Sequence, residues 1–143
     1  MTISTASATW QGGLKGGTGS FQAASGAFHG PYTFATRFEG AKGTNPEELL
    51  AAAHAACFSM ALSAGLEKGG TAPRNITTTA VVTMGSVGGG PRITTIKLTV
   101  KGQVPGIDQA AFAKAAEVAK EGCPVSQLFK GNVAVQLDAL LLE

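Results

Sequence analysis

Two cysteines, Cys57 and Cys123, and two histidines, His29 and His54, are the side chains of this 143-residue chain best suited to nucleophilic or metal chemistry. Cys57 lies in the Ala-rich run LLAAAHAACFSMALSAGLEK, three residues after His54. Residues three apart share a helix face, so His54 could serve Cys57 as the base of an acyl-transfer or thioester-hydrolysing pair. The plainer reading of Cys57 is a small hydrophobe in a core, and a lone His on an apolar helix is most often a satisfied core residue. Cys123 precedes Pro124 and VSQLFK, where a short helix would make it the N-cap. Backbone N–H groups at a helix start favour the thiolate, so local physics marks Cys123 as the easier thiol to ionise. Cys57 lies twelve residues past Asn45, beyond the field of its helix start, and as a nucleophile it needs a cation from elsewhere. A four-ligand metal site would consume every Cys and His in the chain, yet none of the usual local spacings is present, and no metal is expected. The glycine loops match neither phosphate-binding pattern.

Composition narrows the classes. Hydrophobic residues make up 44% of the chain and charged residues only 14%, against about 25% charged in an average globular protein. Such a chain suits burial of part of its surface in an oligomer. A net charge of +2 is too weak for a nucleic-acid footprint. Cysteines 66 positions apart make no disulfide framework. The N-terminal MTISTASATWQGG lacks the basic and apolar regions of a signal peptide. The apolar run 49–62 is interrupted by His54 and short of the ~18 residues of a membrane span. The expectation is a soluble, cytoplasmic protein without membrane partners, where thiols stay reduced and free for redox chemistry.

The elements that must position these residues form one domain, 1–143, without repeat or linker. Residues 5–11 and 18–24 read as strands flanking GGLKGGTG. Residues 32–38 read as a strand, with Arg37 facing away from Tyr32, Phe34 and Phe38. The segment 76–101 is a hairpin turning at SVGGGPR. A last strand puts Val133, Val135, Leu137, Ala139 and Leu141 on one face. A helix starts at Asn45-Pro46-Glu47-Glu48, with Asn as cap, Pro at the first position and Glu48 placed for a capping box. It ends at Gly69-Gly70, and its apolar residues on nearly every side predict burial all round. A second helix runs from Asp108 to Gly122, with Phe112, Ala115 and Ala119 as its stripe. This order predicts an α+β fold with antiparallel sheet.

The stretches TRFEG (36–40), GTNPEELLAAAHAACFSMAL (43–62), VPGID (104–108) and GCPVSQLFKG (122–131) closely resemble the OsmC branch of the OsmC/Ohr family, the osmotically inducible and organic hydroperoxide resistance proteins. The resemblance extends over essentially the whole chain. It implies antiparallel sheets wrapped around buried central helices in an intertwined homodimer. It also implies a thiol-dependent peroxidase that reduces organic hydroperoxides, serves oxidative-stress defence and uses no metal or flavin. Cys57 matches the peroxidatic cysteine and Cys123 the resolving one. Glu47 matches the active-site carboxylate, and Arg37 is the best match for the thiolate-activating arginine. In the Ohr branch that arginine comes from an earlier glycine loop, where this chain carries only Lys15. The implied electron donor is a dithiol, such as a dihydrolipoyl group.

Phe38, Phe58, Met60, Leu128 and Phe129 lie close in sequence to these residues and are candidates to line an apolar entrance. Helix geometry adds an expectation about assembly. Glu47 and Cys57 are ten residues apart on one helix, a rise of about 15 Å with roughly 80° between their directions. Antiparallel central helices of two subunits, crossing at Ala51-Ala52-Ala53, would instead bring Glu47 of one chain level with Cys57 of the other. A non-enzymatic dimer that binds apolar ligands, its cysteines merely packed, is the alternative outside catalysis.

Overall fold

Glycine-rich turns cut the first third of the chain into short strands. A computed structural model describes all 143 residues, which form two compact units, Met1–Leu49 and Leu50–Glu143. No linker separates them: the boundary falls inside a continuous helix.

The first unit holds a three-stranded antiparallel sheet of β1 (Ala6–Gln11), β2 (Thr18–Ala23) and β3 (His29–Tyr32). Trp10, Tyr32 and Phe21 line one face, with ring centroids 5.4 and 5.8 Å apart along the row. Gly19 lies between strand neighbours Trp10 and Tyr32; a Cβ there would come within 2.6 Å of both rings. After β3 the chain departs from the strand expected over 32–38. Phe34–Phe38 is a short helix, α1, started by a reciprocal capping box between Thr33 and Thr36. The physical reason lies in the spacing. Phe34 and Phe38 are four apart and stack at 4.9 Å on one helix face, which a strand could not arrange.

Helix α2 (Pro46–Lys68) follows. As its sequence predicts, Asn45 caps it, with Oδ1 accepting from the Glu48 N–H at 2.8 Å. Its burial differs from expectation. Only His54, Phe58, Leu62 and Leu66, spaced by four, are buried in the second unit, while Ala52, Ala53, Ala56, Met60 and Ala64 are exposed. The chain itself covers one face of this apolar helix and not the other. By length and apolar content alone, α2 is also long enough to cross a membrane, which the run 49–62 was not.

The second unit contains β4 (Asn75–Val87), β5 (Gly90–Gln103), α3 (Gln109–Gly122), α4 (Pro124–Phe129) and β6 (Ala134–Leu142). The expected hairpin is present, with its turn tightened to Gly88-Gly89, both at positive φ. The sheet order is β4-β5-β6, and β6 runs parallel to β5, not antiparallel as the sequence reading had it. Two intervening helices supply the long crossover that a parallel pair requires. Ile96, Leu98 and Val100 of β5 face the core, paired in register with Val135, Leu137 and Ala139 of β6. Asp108 caps α3 through the Ala111 N–H, and the helix buries Phe112, Ala116 and Ala119, so Ala116 takes the place expected of Ala115. Phe112 presses on Gly102 so closely that a Cβ would meet its ring at 2.7 Å. This core, joined by Phe58, Leu62, Leu66 and Cys123, is the platform beneath the thiols.

Candidate active site

In the first unit, Arg37 lies in the last turn of α1, and its guanidinium grips Glu47 from the first turn of α2. Nη2 donates to Oε1 at 2.7 Å, and Nε donates to Oε1 at 3.0 Å and Oε2 at 3.3 Å. Glu47 is buried and the Arg37 side chain is 36% exposed. The fork fixes the plane of the guanidinium, and its carbon stands 5.2 Å from the centre of the Phe38 ring. Asn45 joins the two elements: while Oδ1 caps α2, its Nδ2 donates to the Thr36 carbonyl at 3.1 Å. Gly43 permits this corner, at φ +150 and with Thr36 Cγ2 only 2.8 Å from where a Cβ would be. Lys15 places its Nζ 5.9 Å from the Phe34 ring centre, so it belongs to the same aromatic pair but touches neither Arg37 nor Glu47 through a hydrogen bond or ion pair. Asn45's second bond was not foreseen; the Asn-Pro pair signals a cap and nothing more.

In the second unit, the sulfurs of Cys57 and Cys123 stand 3.0 Å apart, both reduced. Closure to a disulfide at about 2.05 Å requires a shift of only about 1 Å. Cys57 is partly exposed and Cys123 has no exposed surface, so a solute meets Cys57 first. This runs against the local argument from the start of α4, which marks Cys123 as the easier thiol to ionise, and agrees with the expectation that Cys57 is the thiol that reacts. Burial first, and then the hydrogen bond with Cys123, push the Cys57 thiol up from its ordinary 9.0, while the Val125 backbone pulls the other way. None of these influences is a positive charge. In this contact Cys123 Sγ is the donor and Cys57 Sγ the acceptor.

His54 does not attend Cys57. Its ring is fully buried, with Nε2 2.7 Å from Ser126 Oγ on α4 and Nδ1 without a partner. Burial lowers its pKa below the ordinary 6.5, which keeps it neutral. An unpaired acceptor is easier to tolerate than an unpaired N–H, so the favoured tautomer has Nε2–H donating to Ser126. The Cys–His pair proposed from helix spacing is therefore absent. Ser126 was missed because a serine 72 residues from its partner carries no local signal. His29 lies apart from these residues in sequence, on β3, and no three His, Cys, Asp or Glu side chains gather into a metal-binding cluster.

The residues expected to line an entrance separate by environment. Phe58 is fully buried in the core; it faces inward with His54 and Leu62, so it supports the site from beneath and is not an entrance residue. Met60 and Leu128 are 76% and 74% exposed. Phe129 is partly buried, its ring 5.7 Å from that of His54. Phe38 is exposed beneath Arg37 in the first unit.

Residues 39–138 match the family described as OsmC-like protein. The chain belongs to the OsmC-like family. It is 50% identical over 129 residues to peroxiredoxin OsmC of Escherichia coli strain K12, covering 90% of each chain. An organic hydroperoxide resistance protein of Xanthomonas axonopodis pv. citri is 35% identical over 99 residues, 68% of each chain. Among solved structures, an organic hydroperoxide resistance protein from Elizabethkingia anophelis superposes with a TM-score of 0.79 at 28% identity, over 99% of both chains. The OsmC-like match includes Glu47, Cys57 and Cys123 and begins two residues after Arg37.

Proposed function

We propose that this OsmC-like protein is a cysteine-based peroxidase that reduces organic hydroperoxides to alcohols. The observation that carries the reading is the 3.0 Å approach of a partly exposed thiol to a buried one, in a chain whose relatives are named for peroxide removal. Cys57, as thiolate, attacks the outer oxygen of ROOH. The O–O bond breaks, RO⁻ takes a proton to leave as the alcohol, and Cys57 becomes a sulfenic acid. The Cys123 thiol attacks that sulfur, water leaves, and an intrachain disulfide forms. An external dithiol, of which a dihydrolipoyl group is the leading candidate, reduces the disulfide and is itself oxidised to a disulfide. Electrons thus come from thiols throughout.

Arg37 is the cation assigned to the Cys57 thiolate and the departing oxygen, held in orientation by Glu47. Ten helical residues separate Glu47 from Cys57, so the charged pair is assigned to the partner subunit of a homodimer. The exposed Ala52, Ala53 and Ala56 face of α2 supports this, since small side chains let two helices approach closely. Met60, Leu128, Phe129 and Phe38 supply the apolar approach for the substrate's R group. A cytoplasmic setting, where thiols are kept reduced, suits the cycle. His54, tied to Ser126, is not free to be the base of a Cys–His hydrolase.

The test is peroxide consumption with a dithiol donor. Cys57→Ser abolishes it, and Cys123→Ser still consumes peroxide stoichiometrically while losing turnover. Inactive Glu47→Ala mixed with inactive Cys57→Ser regains activity on subunit exchange, because each heterodimer holds one intact site. Heterodimers proven by mass yet inactive would show that Glu47 acts within its own chain; full turnover in Cys57→Ser would end the peroxidase assignment.

A further inference from the structure

α2 and α4 meet through two polar contacts arranged in parallel. On α2, His54 and Cys57 are three residues apart; across from them, Cys123 and Ser126 are likewise three apart, at the cap and in the first turn of α4. Cys57 meets Cys123 at 3.0 Å, and His54 meets Ser126 at 2.7 Å. Helix α4 has six residues, and Ser126 is the one among them that is buried, with Val125 and Phe129 partly so. Pro124, Gln127 and Leu128 face outward. So short a helix has little side chain with which to anchor itself, and its deepest attachment is a hydrogen bond to a histidine with no other polar partner.

We propose that the His54–Ser126 hydrogen bond is the latch that keeps Cys123 within striking distance of Cys57, making His54 and Ser126 positioning residues for disulfide closure and not for peroxide attack. The inference rests on the roles assigned above to the two thiols. Closure is an intramolecular displacement: the Cys123 sulfur bonds to the Cys57 sulfur, the S–O bond breaks, and the hydroxyl leaves as water with the thiol's proton. Its rate depends on how often Cys123 occupies the attacking position, and small displacements of a reacting group cost heavily in such steps. Attack on peroxide by Cys57 does not use the Cys123 sulfur, so it depends on α4 less closely than closure does. The latch therefore separates two rates that otherwise rise and fall together. With closure slow, the sulfenic acid persists, and a second peroxide oxidises it to the sulfinic acid, from which thiols do not recover it.

The experiment follows both steps in the intact protein after mixing with equimolar cumene hydroperoxide, using a sulfenic-acid-trapping diketone and mass analysis of quenched samples. Ser126→Ala and His54→Leu should close the disulfide at least about tenfold more slowly, equivalent to about 1.4 kcal/mol of barrier, while slowing Cys57 oxidation far less. Both should accumulate sulfinic acid at Cys57 under excess peroxide. His54→Gln, whose side-chain amide can present an N–H near the position of Nε2, should recover most of the closure rate; a role in bulk packing alone would not distinguish Gln from Leu. Should His54→Leu fail to fold, Ser126→Ala, which removes a single oxygen, decides the matter. Wild-type closure in Ser126→Ala, or an equal slowing of both steps, overturns the latch. A wild-type protein that oxidises without forming the Cys57–Cys123 disulfide instead overturns the assignment of the thiols on which the latch depends.

Discussion

In the first unit, Arg37 and Glu47 meet at 2.7 Å with the arginine side chain 36% exposed. In the second, Cys57 and Cys123 meet at 3.0 Å against an apolar core, one sulfur fully buried. The first cluster has charge and no nucleophile. The second has a nucleophile, and nothing cationic acts on it. Water at the arginine end weakens the attraction but spares the pair part of the desolvation cost that full burial would impose. A thiol pair tolerates burial well, because neutral sulfur loses little on leaving water. The chain thus keeps each group where it is stable.

The strongest test of that division removes the charge. Arg37→Met, close in size and uncharged, should slow Cys57 oxidation by well over tenfold, more than about 1.4 kcal/mol of transition-state stabilisation. The pH at which the attack rate reaches half its maximum should also rise. Without the arginine, only the Val125 backbone opposes burial and Cys123, which already push this thiol upward. An unchanged stopped-flow rate and pH profile would break the comparison, since the thiol cluster would then be self-sufficient.

An intermediate effect concerns the histidine beneath the thiols. Burial lowers the His54 pKa below 6.5, so under acidic conditions the unfolded chain binds a proton that the folded chain resists. The His54 contribution to stability is then full above the unfolded pKa and falls as pH drops through and below about 6.5. Denaturant midpoints taken from about pH 7.5 to 5 should decline, and His54→Gln should flatten the part of that decline due to this residue. Identical slopes in both proteins would mean that His54 takes up its proton as readily folded as unfolded.

The smallest effect belongs to the rim. Met60 and Leu128 are exposed apolar side chains, and each methylene of substrate they shelter is worth about 0.8 kcal/mol. Wild type should prefer cumene hydroperoxide to hydrogen peroxide in kcat/KM. Leu128→Ser should reduce that preference a few-fold by weakening the organic substrate alone. Equal kcat/KM for the two peroxides in wild type would remove the apolar approach from the account.

Local signals determined much of this protein. Asn45 and Pro46 start α2, Asp108 starts α3, and alternating residues mark β4, β5 and β6, because caps, turns and alternation act within a few residues of themselves. The candidate residues Cys57, Cys123, Arg37 and Glu47 were nominated from residue type and from the family resemblance carried by the TRFEG, NPEEL and GCPVS blocks. Only the tertiary structure decided how they group. Residues 34–38 turn into a helix when Phe34 stacks on Phe38 and Thr33 caps the turn. β6 joins β5 in parallel because α3 and α4 carry the chain back across the sheet. His54 is drawn to Ser126 and away from Cys57, a choice made between side chains 72 residues apart. Such pairings depend on what the whole core leaves within reach of a buried polar atom, and no window of neighbouring residues contains that information.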